Sequence, residues 1–444
     1  MRQLRENDMD WNRIDMGALE RDLIALRREF HQYPESGWTE FRTTVRIIEE
    51  LERLGLRVQY GPAIHAEEKR FGLPAKEKLE ACWQRAKAEC TRHDLLDAMR
   101  GGYTGCMTVI EGALPGPDIA VRADIDCVDI NELRDAAHRP AKEGFDSRHE
   151  GCMHACGHDA HAAIGIGIAR ILCAHRDLLR GRVHLIFQPA EEGLRGAASM
   201  TAAGTFSDCE ALFGFHVGLM DVPVGTVAVG CHGFLASTKF DTEFLGVSAH
   251  VGLSPEKGRN ALAAAAAATL EMLMLPPHPE GVSRVNVGTF HAGTGRNVIP
   301  GEAMLQVETR GATTEINHDM ETAVIEICQA AAARYGCTCR TAFMGAAGSG
   351  RCDPPLVEWA EKVLSNVEGV NELLLDVALD IGEDITIAME EVQRHGGQAT
   401  ELVLGMPLTA PHHNEDFDVD ERVLIVGARC LASLALESGE RNKA

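Results

Sequence analysis

From Met16 to Leu56 the apolar positions recur at helical spacing and are interrupted by the segment YPESGWTEF, a pattern that predicts a helix, a loop and a second helix. From Gly61 to Gly102 the chain turns charged, rich in Ala, Glu and Lys and poor in aromatics, which reads as a helical insertion (62–102) outside any sheet. Short, near-continuous apolar runs follow at Cys106–Ile110, Ile119–Arg122, Val183–Phe187, Ala211–Phe215 and Leu402–Leu404. Runs of that length separated by helical patterns predict strands buried on both faces, hence an α/β sheet between helical layers. Further helices are predicted near Pro355–Asn366, Asp384–Arg394 and Glu421–Leu436.

Between Val229 and Met344 the order changes to strand, helix, strand, strand, helix, strand: Phe240–Val247, Asn260–Leu275, Val285–His291, Ala303–Thr309, Ile316–Tyr335 and Cys339–Phe343. This is the ferredoxin-like order, a self-sufficient two-layer α+β unit. The expected organisation is therefore one domain built from 1–228 and 346–444, interrupted by an inserted domain at 229–345. A chain of 444 residues exceeds the size at which a single core keeps growing, in agreement with two domains.

Composition narrows the function classes. Lys plus Arg number 43 against 66 Asp plus Glu, a formal charge of -23 that repels polyphosphate backbones, so no nucleic-acid partner is expected. The opening MRQLRENDMDWNRID has no apolar core of signal-peptide type, and the alanine-rich run Ala261–Leu270 is too short to span a bilayer, so no membrane partner is expected. The 14 cysteines lack paired spacing and read as reduced thiols of a cytoplasmic protein.

The chemically loaded residues stand at or just after the apolar runs, where open α/β sheets bind ligands beyond the carboxyl ends of their strands. In MHACGHDAH, Cys156 and His158 open a helical pattern and are suitable divalent-metal ligands, and Asp159 reads as the cap of that helix. Alone, such a pair is more often a buried thiol beside a structural histidine; the neighbouring motifs change that reading. His154 and His161 read as packing or orienting groups. In QPAEEG two carboxylates follow a strand, and adjacent side chains of an extended chain point opposite ways, so Glu192 is assigned as ligand and Glu191 as general base. His216 in GFHVG is a candidate ligand, and Asp124 and Asp126 in RADID are placed to orient ligating imidazoles. In PHHNEDFD, His413 is chosen over His412, which the sequence barely separates from it. Glu383 and Asp384 open a helix, where acidic residues are in any case favoured. In the inserted domain His250 is a candidate polar contact for a tetrahedral intermediate, and Asn297 and Arg310 are substrate-binding candidates, though by spacing alone each is more often an ordinary surface group.

Taken together, RADID, MHACGHDAH, PAEE and the late HN resemble the M20 family of two-metal aminoacylases and carboxypeptidases, in its amidohydrolase branch. The likeness runs over nearly the whole chain. FHQYPESGWTEFRT, the charged insertion, SRVNVG, GRNVIP, VETRG and HHNE are most similar to members that cleave p-aminobenzoyl-glutamate. The resemblance implies a mixed-sheet α/β/α zinc-peptidase-like catalytic domain with an inserted ferredoxin-like lid or dimerisation domain. It implies two divalent ions, manganese or zinc, on Cys156, His158, Glu192, His216 and His413, with Glu191 as base. It further implies that His250 serves the active site of a neighbouring protomer and that Arg310 holds a substrate α-carboxylate. Two departures stand out: Glu415 follows HN where the branch has proline, and Gly382-Glu383-Asp384-Ile385 replaces an SEDF-like element.

The implied reaction is hydrolysis of an N-acyl amino acid, p-aminobenzoyl-glutamate to p-aminobenzoate and glutamate. The ions polarise the amide carbonyl and generate hydroxide, Glu191 moves the proton, and His250 stabilises the oxyanion. Alternatives are another aminoacylase of the branch acting on hippurate-like or N-acetyl amino acids, or a chain inactive without a homologous B subunit, so the partner is a homodimer mate or such a B subunit. A structural metal protein is disfavoured, because a closed site has no use for a spare glutamate.

Overall fold

The computed structural model describes residues 13–379 and 381–443; the opening segment read above for a signal core falls largely outside them. In chain order the elements are α1 (Met16–Gln32), α2 (Phe41–Arg53), β1 (Val58–Tyr60), α3 (Lys76–Glu89), α4 (His93–Ala98), β2 (Cys106–Glu111), β3 (Leu114–Asp124), α5 (Arg139–Glu143), α6 (His158–Ala174), β4 (Arg180–Gln188), α7 (Ala197–Ala202), β5 (Ala211–Asp221) and β6 (Thr226–Ala228). Then come β7 (Cys231–His232), β8 (Ala236–Leu245), β9 (Ala249–His250), α8 (Ala261–Leu273), β10 (Ser283–Ala292), β11 (Val298–Ile299), β12 (Glu302–Gly311), α9 (Thr314–Arg334) and β13 (Thr338–Ala347). The chain closes with α10 (Pro354–Leu364), β14 (Glu372–Leu374), β15 (Val377–Ala378), α11 (Ile385–Arg394), β16 (Gln398–Met406) and α12 (Arg422–Glu437).

The residues group into two compact units, one running up to His232 with Arg351–Leu379 and everything from Ile387 on, the other Gly233–Gly350 with residues 381–386. The short 381–386 piece of the second unit carries no periodic signal that would set it apart in the sequence.

The first unit is built on an eight-stranded mixed sheet in the order β1-β2-β4-β3-β5-β16-β6-β14. Its centre, β4-β3-β5-β16, is parallel throughout, so these four strands deliver their carboxyl ends to one edge. In β5 consecutive residues from Ala211 to Gly218 are all buried, which for a pleated strand means that both sheet faces are covered. Helix α6 is buried almost all round, against α1 and α12 as well as the sheet. Glycines allow the close approach: a Cβ on Gly165 would meet Phe187 at 2.5 Å, and one on Gly167 would meet Ala428 at 2.9 Å. The strand expectation needs two corrections. The run Ala211–Phe215 continues to Asp221, so His216 lies within β5 and not after it. The outlying strands β1, β6 and β14, three residues each, are too short to leave a period-2 signal.

The second unit is a four-stranded antiparallel sheet, β10-β12-β8-β13, the ferredoxin-like order anticipated from the pattern. Strands β8 and β12 alternate buried and half-exposed positions, and α8 and α9 cover the buried face around Phe240, Phe244, Leu305 and Val307. Side-chain caps start both helices: Asn260 accepts from the N–H of Ala263, and Thr313 from that of Ile316. A small ribbon, β9 with β11, adds to the pattern read from the sequence; it pairs His250 with Val298.

Candidate metal centre

The loop before α6 reaches the helix through Gly157, whose left-handed φ of +91° and missing side chain let Cys156 and His158 project together; a Cβ there would meet Val217 at 2.5 Å. Gly157 is the N-cap, which corrects the expectation that Asp159 caps α6. Asp159 is instead wholly buried, 2.8 Å from Arg27 Nε and 2.8 Å from His31 Nδ1.

His158 donates from Nδ1 to the Asp126 carbonyl at 3.0 Å, and a carboxylate oxygen of Asp126 stands 3.4 Å away. That fixes the tautomer and leaves the Nε2 lone pair buried without a hydrogen-bond partner. His216 is set in the same way: Nδ1 donates to the Val217 carbonyl at 2.8 Å, and Nε2 lies 3.5 Å from Cys156 Sγ. His161 differs. Its Nδ1 bonds Asp124 and its Nε2 accepts the Val217 N–H at 3.0 Å, so both ring nitrogens are engaged, as a packing residue requires. His154 is buried with neither ring nitrogen hydrogen-bonded.

Asp126 has a second task. Its two oxygens accept the main-chain N–H groups of Glu191 and Glu192, each at 3.0 Å, which fastens the two-glutamate segment to the loop after β3. The segment is a tight turn, with positive φ at Ala190 (53°), Gly193 (85°) and Leu194 (65°). The expectation of an extended chain sending alternate side chains to opposite sides is thereby corrected: a turn held by Asp126 separates Glu191 from Glu192. Glu40, from the irregular loop before α2, accepts the Ala190 N–H at 2.7 Å and the Thr104 hydroxyl at 2.6 Å. Burial, reinforced by Asp126, pushes its carboxyl up to about 8. Nothing in the sequence pattern marks Glu40 as part of this centre.

Asp124, at the end of β3, is clamped by Arg122 at 2.5 Å and by His161. Burial alone would raise its carboxyl, but His158, Arg122 and His161 hold it well below the usual range. On the last segment, the structure separates the two histidines. His412 directs Nε2 to the Val217 carbonyl at 3.3 Å and packs on Phe417, ring centroids 4.7 Å apart. His413, with φ +60° and its N–H on the Ala155 carbonyl at 2.8 Å, brings Nε2 to 3.1 Å from Glu192 Oε1. Cys156 and Glu192 push the His413 imidazole up to about 10, so positive charge is strongly favoured at this point.

Three donor sets that contain Cys156 or Glu192 fall within 4.8 Å: Cys156 with His158 and His216; Cys156 with Glu192 and His413; and His158 with Glu191 and Glu192. Cys156 belongs to the first two. A thiol, imidazoles with presented lone pairs and a carboxylate form a mixed S, N and O set suited to zinc or manganese, so the residues fit a divalent pair. The inserted unit's candidates have surroundings of their own. His250 is exposed, its Nδ1 accepting the Gly252 N–H at 3.1 Å. Asn297 lies in the exposed turn before β11, and Arg310, on β12, pairs with Glu308 at 3.1 Å. Glu383 and Asp384 are buried beside the start of α11, where the Glu383 carbonyl accepts the Thr386 hydroxyl at 2.8 Å.

The sequence and the fold are similar to those of known proteins. The chain is 45% identical to a subunit of the p-aminobenzoyl-glutamate hydrolase of Escherichia coli K12, over 95% of this chain and 97% of that protein. It is equally 45% identical to an indole-3-acetyl-aspartic acid hydrolase of Enterobacter agglomerans, over 94% and 95% of the two chains. A crystal structure of an aminobenzoyl-glutamate utilization protein from Klebsiella pneumoniae superposes with a TM-score of 0.81 at 36% identity, covering 95% of this chain and 97% of that one. A dinuclear metal-binding peptidase of the M20 family from Bacillus subtilis gives 0.66 at 26% identity, covering 96% and 99%. Residues 120–437, which carry every donor described above, match peptidase family M20/M25/M40, and the chain belongs to that family of amide-bond hydrolases.

Proposed function

We propose that the chain hydrolyses the amide bond of N-acyl acidic amino acids, p-aminobenzoyl-glutamate foremost, releasing p-aminobenzoate and glutamate. The observation that carries this reading is Glu191, fastened by Asp126 beside a compact donor set that already contains a second carboxylate, Glu192. Cys156, His158, Glu192, His216 and His413 would hold two divalent ions, zinc or manganese, which would supply Lewis acidity toward the amide carbonyl and the attacking water. Glu191 takes a proton from that water and delivers it to the leaving amide nitrogen. Asp126 orients His158 and at the same time fixes the position of the base, while Asp124 fastens His161.

The inserted unit of a neighbouring protomer brings His250 for the oxyanion, and Asn297 and Arg310 hold the substrate, Arg310 through the α-carboxylate. It also carries the association surface. Among the described residues, every exposed large apolar side chain except Leu375 belongs to this unit, with Leu262, Leu270 and Leu273 along one side of α8. A second copy covers it, or else a homologous B subunit, in keeping with the Escherichia coli relative being one subunit of a hydrolase. The free state of all the cysteines accords with a cytoplasmic setting. Among the described residues no helix is long and apolar enough to cross a membrane.

A second reading has a specific support: the equal identity to a hydrolase of indole-3-acetyl-aspartic acid points to an arylacetyl aspartate as substrate. Both substrates are offered to the metal-loaded chain, and the acid and amine products are separated and counted. Release of p-aminobenzoate with one equivalent of glutamate is the expected result. Glu191→Gln is expected to keep its ions by mass spectrometry while turnover falls by roughly 10² to 10⁴-fold. Undiminished turnover in that variant refutes the base, and cleavage of neither substrate, with or without a partner chain, refutes the reading.

A further inference from the structure

An acidic amino acid brings two carboxylates into a centre already lined by Asp124, Asp126, Glu191 and Glu192. Arg310 accounts for one of them; the other needs a cation of its own. Most arginines around this part of the first unit are neutralised: Arg122 by Asp124, Arg27 by Asp159 and Asp418, and Arg70 by Glu67. Arg195 is different. It lies three residues beyond Glu192, and among the described residues no carboxylate forms an ion pair with it.

Its guanidinium is held by main chain alone. Nε donates to the Glu192 carbonyl at 2.7 Å and one Nη1 hydrogen to the Gly72 carbonyl at 3.2 Å. Of five N–H donors, three remain: the second on Nη1 and both on Nη2. Those two nitrogens form the edge of the fork that grips a carboxylate with two parallel hydrogen bonds. The group lies against bare backbone, since a Cβ on Gly37 would meet Nη2 at 2.3 Å and Cζ at 2.9 Å. The turn that carries it is the strained one at Ala190, Gly193 and Leu194, and the Arg195 N–H closes that turn on the Ala190 carbonyl at 3.1 Å. A full positive charge is thus preorganised, half-buried and without a counter-ion, in the same turn as the base and a metal ligand.

We propose that Arg195 receives the side-chain carboxylate of the amino acid and is the residue that selects N-acyl glutamate and aspartate over neutral N-acyl amino acids. This rests on the hydrolase reading above. The bare backbone at Gly37 and the carbonyl of Gly72 are then part of the specificity pocket, because they set where the fork lies.

The test compares p-aminobenzoyl-glutamate with p-aminobenzoyl-glutamine, which has the same shape and α-carboxylate but a neutral side chain. In Arg195→Gln, kcat/KM for the glutamate compound is expected to fall roughly 10- to 100-fold, chiefly through KM, while the glutamine compound is cleaved as before. Metal content by mass spectrometry stays at the unsubstituted level. Gly37→Ala, which displaces the fork without removing its charge, produces the same selective loss and serves should Arg195→Gln fail to fold. Equal losses on both compounds would make Arg195 a structural residue and overturn the proposal. Calorimetric binding of the two compounds to the Glu191→Gln chain separates this from failure of the hydrolase reading. If the unsubstituted chain cleaves neither compound, a preference for glutamate that vanishes in Glu191→Gln/Arg195→Gln still upholds Arg195, and no preference overturns it.

Discussion

His31 is wholly enclosed, with Nδ1 2.8 Å from Asp159 and Nε2 2.8 Å from Glu132. Burial and the neighbouring Arg27 push its imidazole down, yet the hydrogen bonds to Asp159 and Glu132 prevail and raise it to about 9. A group whose folded value exceeds its unfolded one stabilises the fold fully below the unfolded value, about 6.5, and loses that contribution as pH rises through about 9. The contribution is on the order of 3 kcal/mol, and the depressed carboxyl of Asp159 describes the same ion pair, so it is counted once. Thermal unfolding between pH 6 and 10 checks this. The unsubstituted chain is expected to lose stability between about pH 6.5 and 9 that His31→Gln, already less stable at pH 7, no longer has to lose. Parallel pH profiles of the two proteins contradict the cationic assignment.

At the scale of elements, α6 is the part on which the centre depends. It begins at His158, is enclosed on nearly every side, and its first turn is fixed from below by Arg27, which spans Asp159 and Asp418. Asp418 lies five residues past His413, so one guanidinium braces both segments that carry the candidate donors. The single glycine between Cys156 and His158 makes that arrangement possible. Gly157→Ala places a methyl group 2.5 Å from Val217 in a left-handed backbone conformation, and is expected to cost about 2–4 kcal/mol. Its melting temperature should drop and its metal stoichiometry should fall below that of the unsubstituted protein. Full metal content in a folded Gly157→Ala chain shows that the ligands do not require this turn.

At the scale of the whole molecule, the two units have separate cores, one around the mixed sheet and one around Phe240, Phe244, Leu305 and Val307. Exposed apolar surface is concentrated in the second, while the formal charge of -23 keeps unrelated acidic chains apart. Leu270 and Leu273 are 65% and 57% exposed on α8, too much for a helix with no partner. Replacing both with glutamate is expected to reduce the mass seen by light scattering to that of one chain without altering metal content. An unsubstituted protein already at single-chain mass removes the like-with-like assembly from consideration.

Much of this was legible along the chain. Helical spacing located α1, α2, α10, α11 and α12, near-continuous apolar runs located the central strands because both their faces are covered, and the succession of elements gave the ferredoxin-like order. Cys156, His158, Glu191 and Glu192 were legible because their chemistry is crowded into two short motifs at strand and helix ends. The outlying strands and the β9–β11 ribbon were not, being too short to carry a period. Glu40 stands inside the FHQYPESGWTEFRT likeness, but in an irregular loop where no spacing shows its task until its carboxylate is seen to hold Ala190. Residue type and local spacing therefore determined which elements form and which donors are available. Tertiary structure alone decided that His413 and not His412 faces Glu192, that Asp126 holds the two-glutamate turn, and that no carboxylate among the described residues pairs with Arg195. Each of those depends on which distant segments meet, as Arg27 and Asp418 do across 391 positions, and such pairings leave no trace in local pattern.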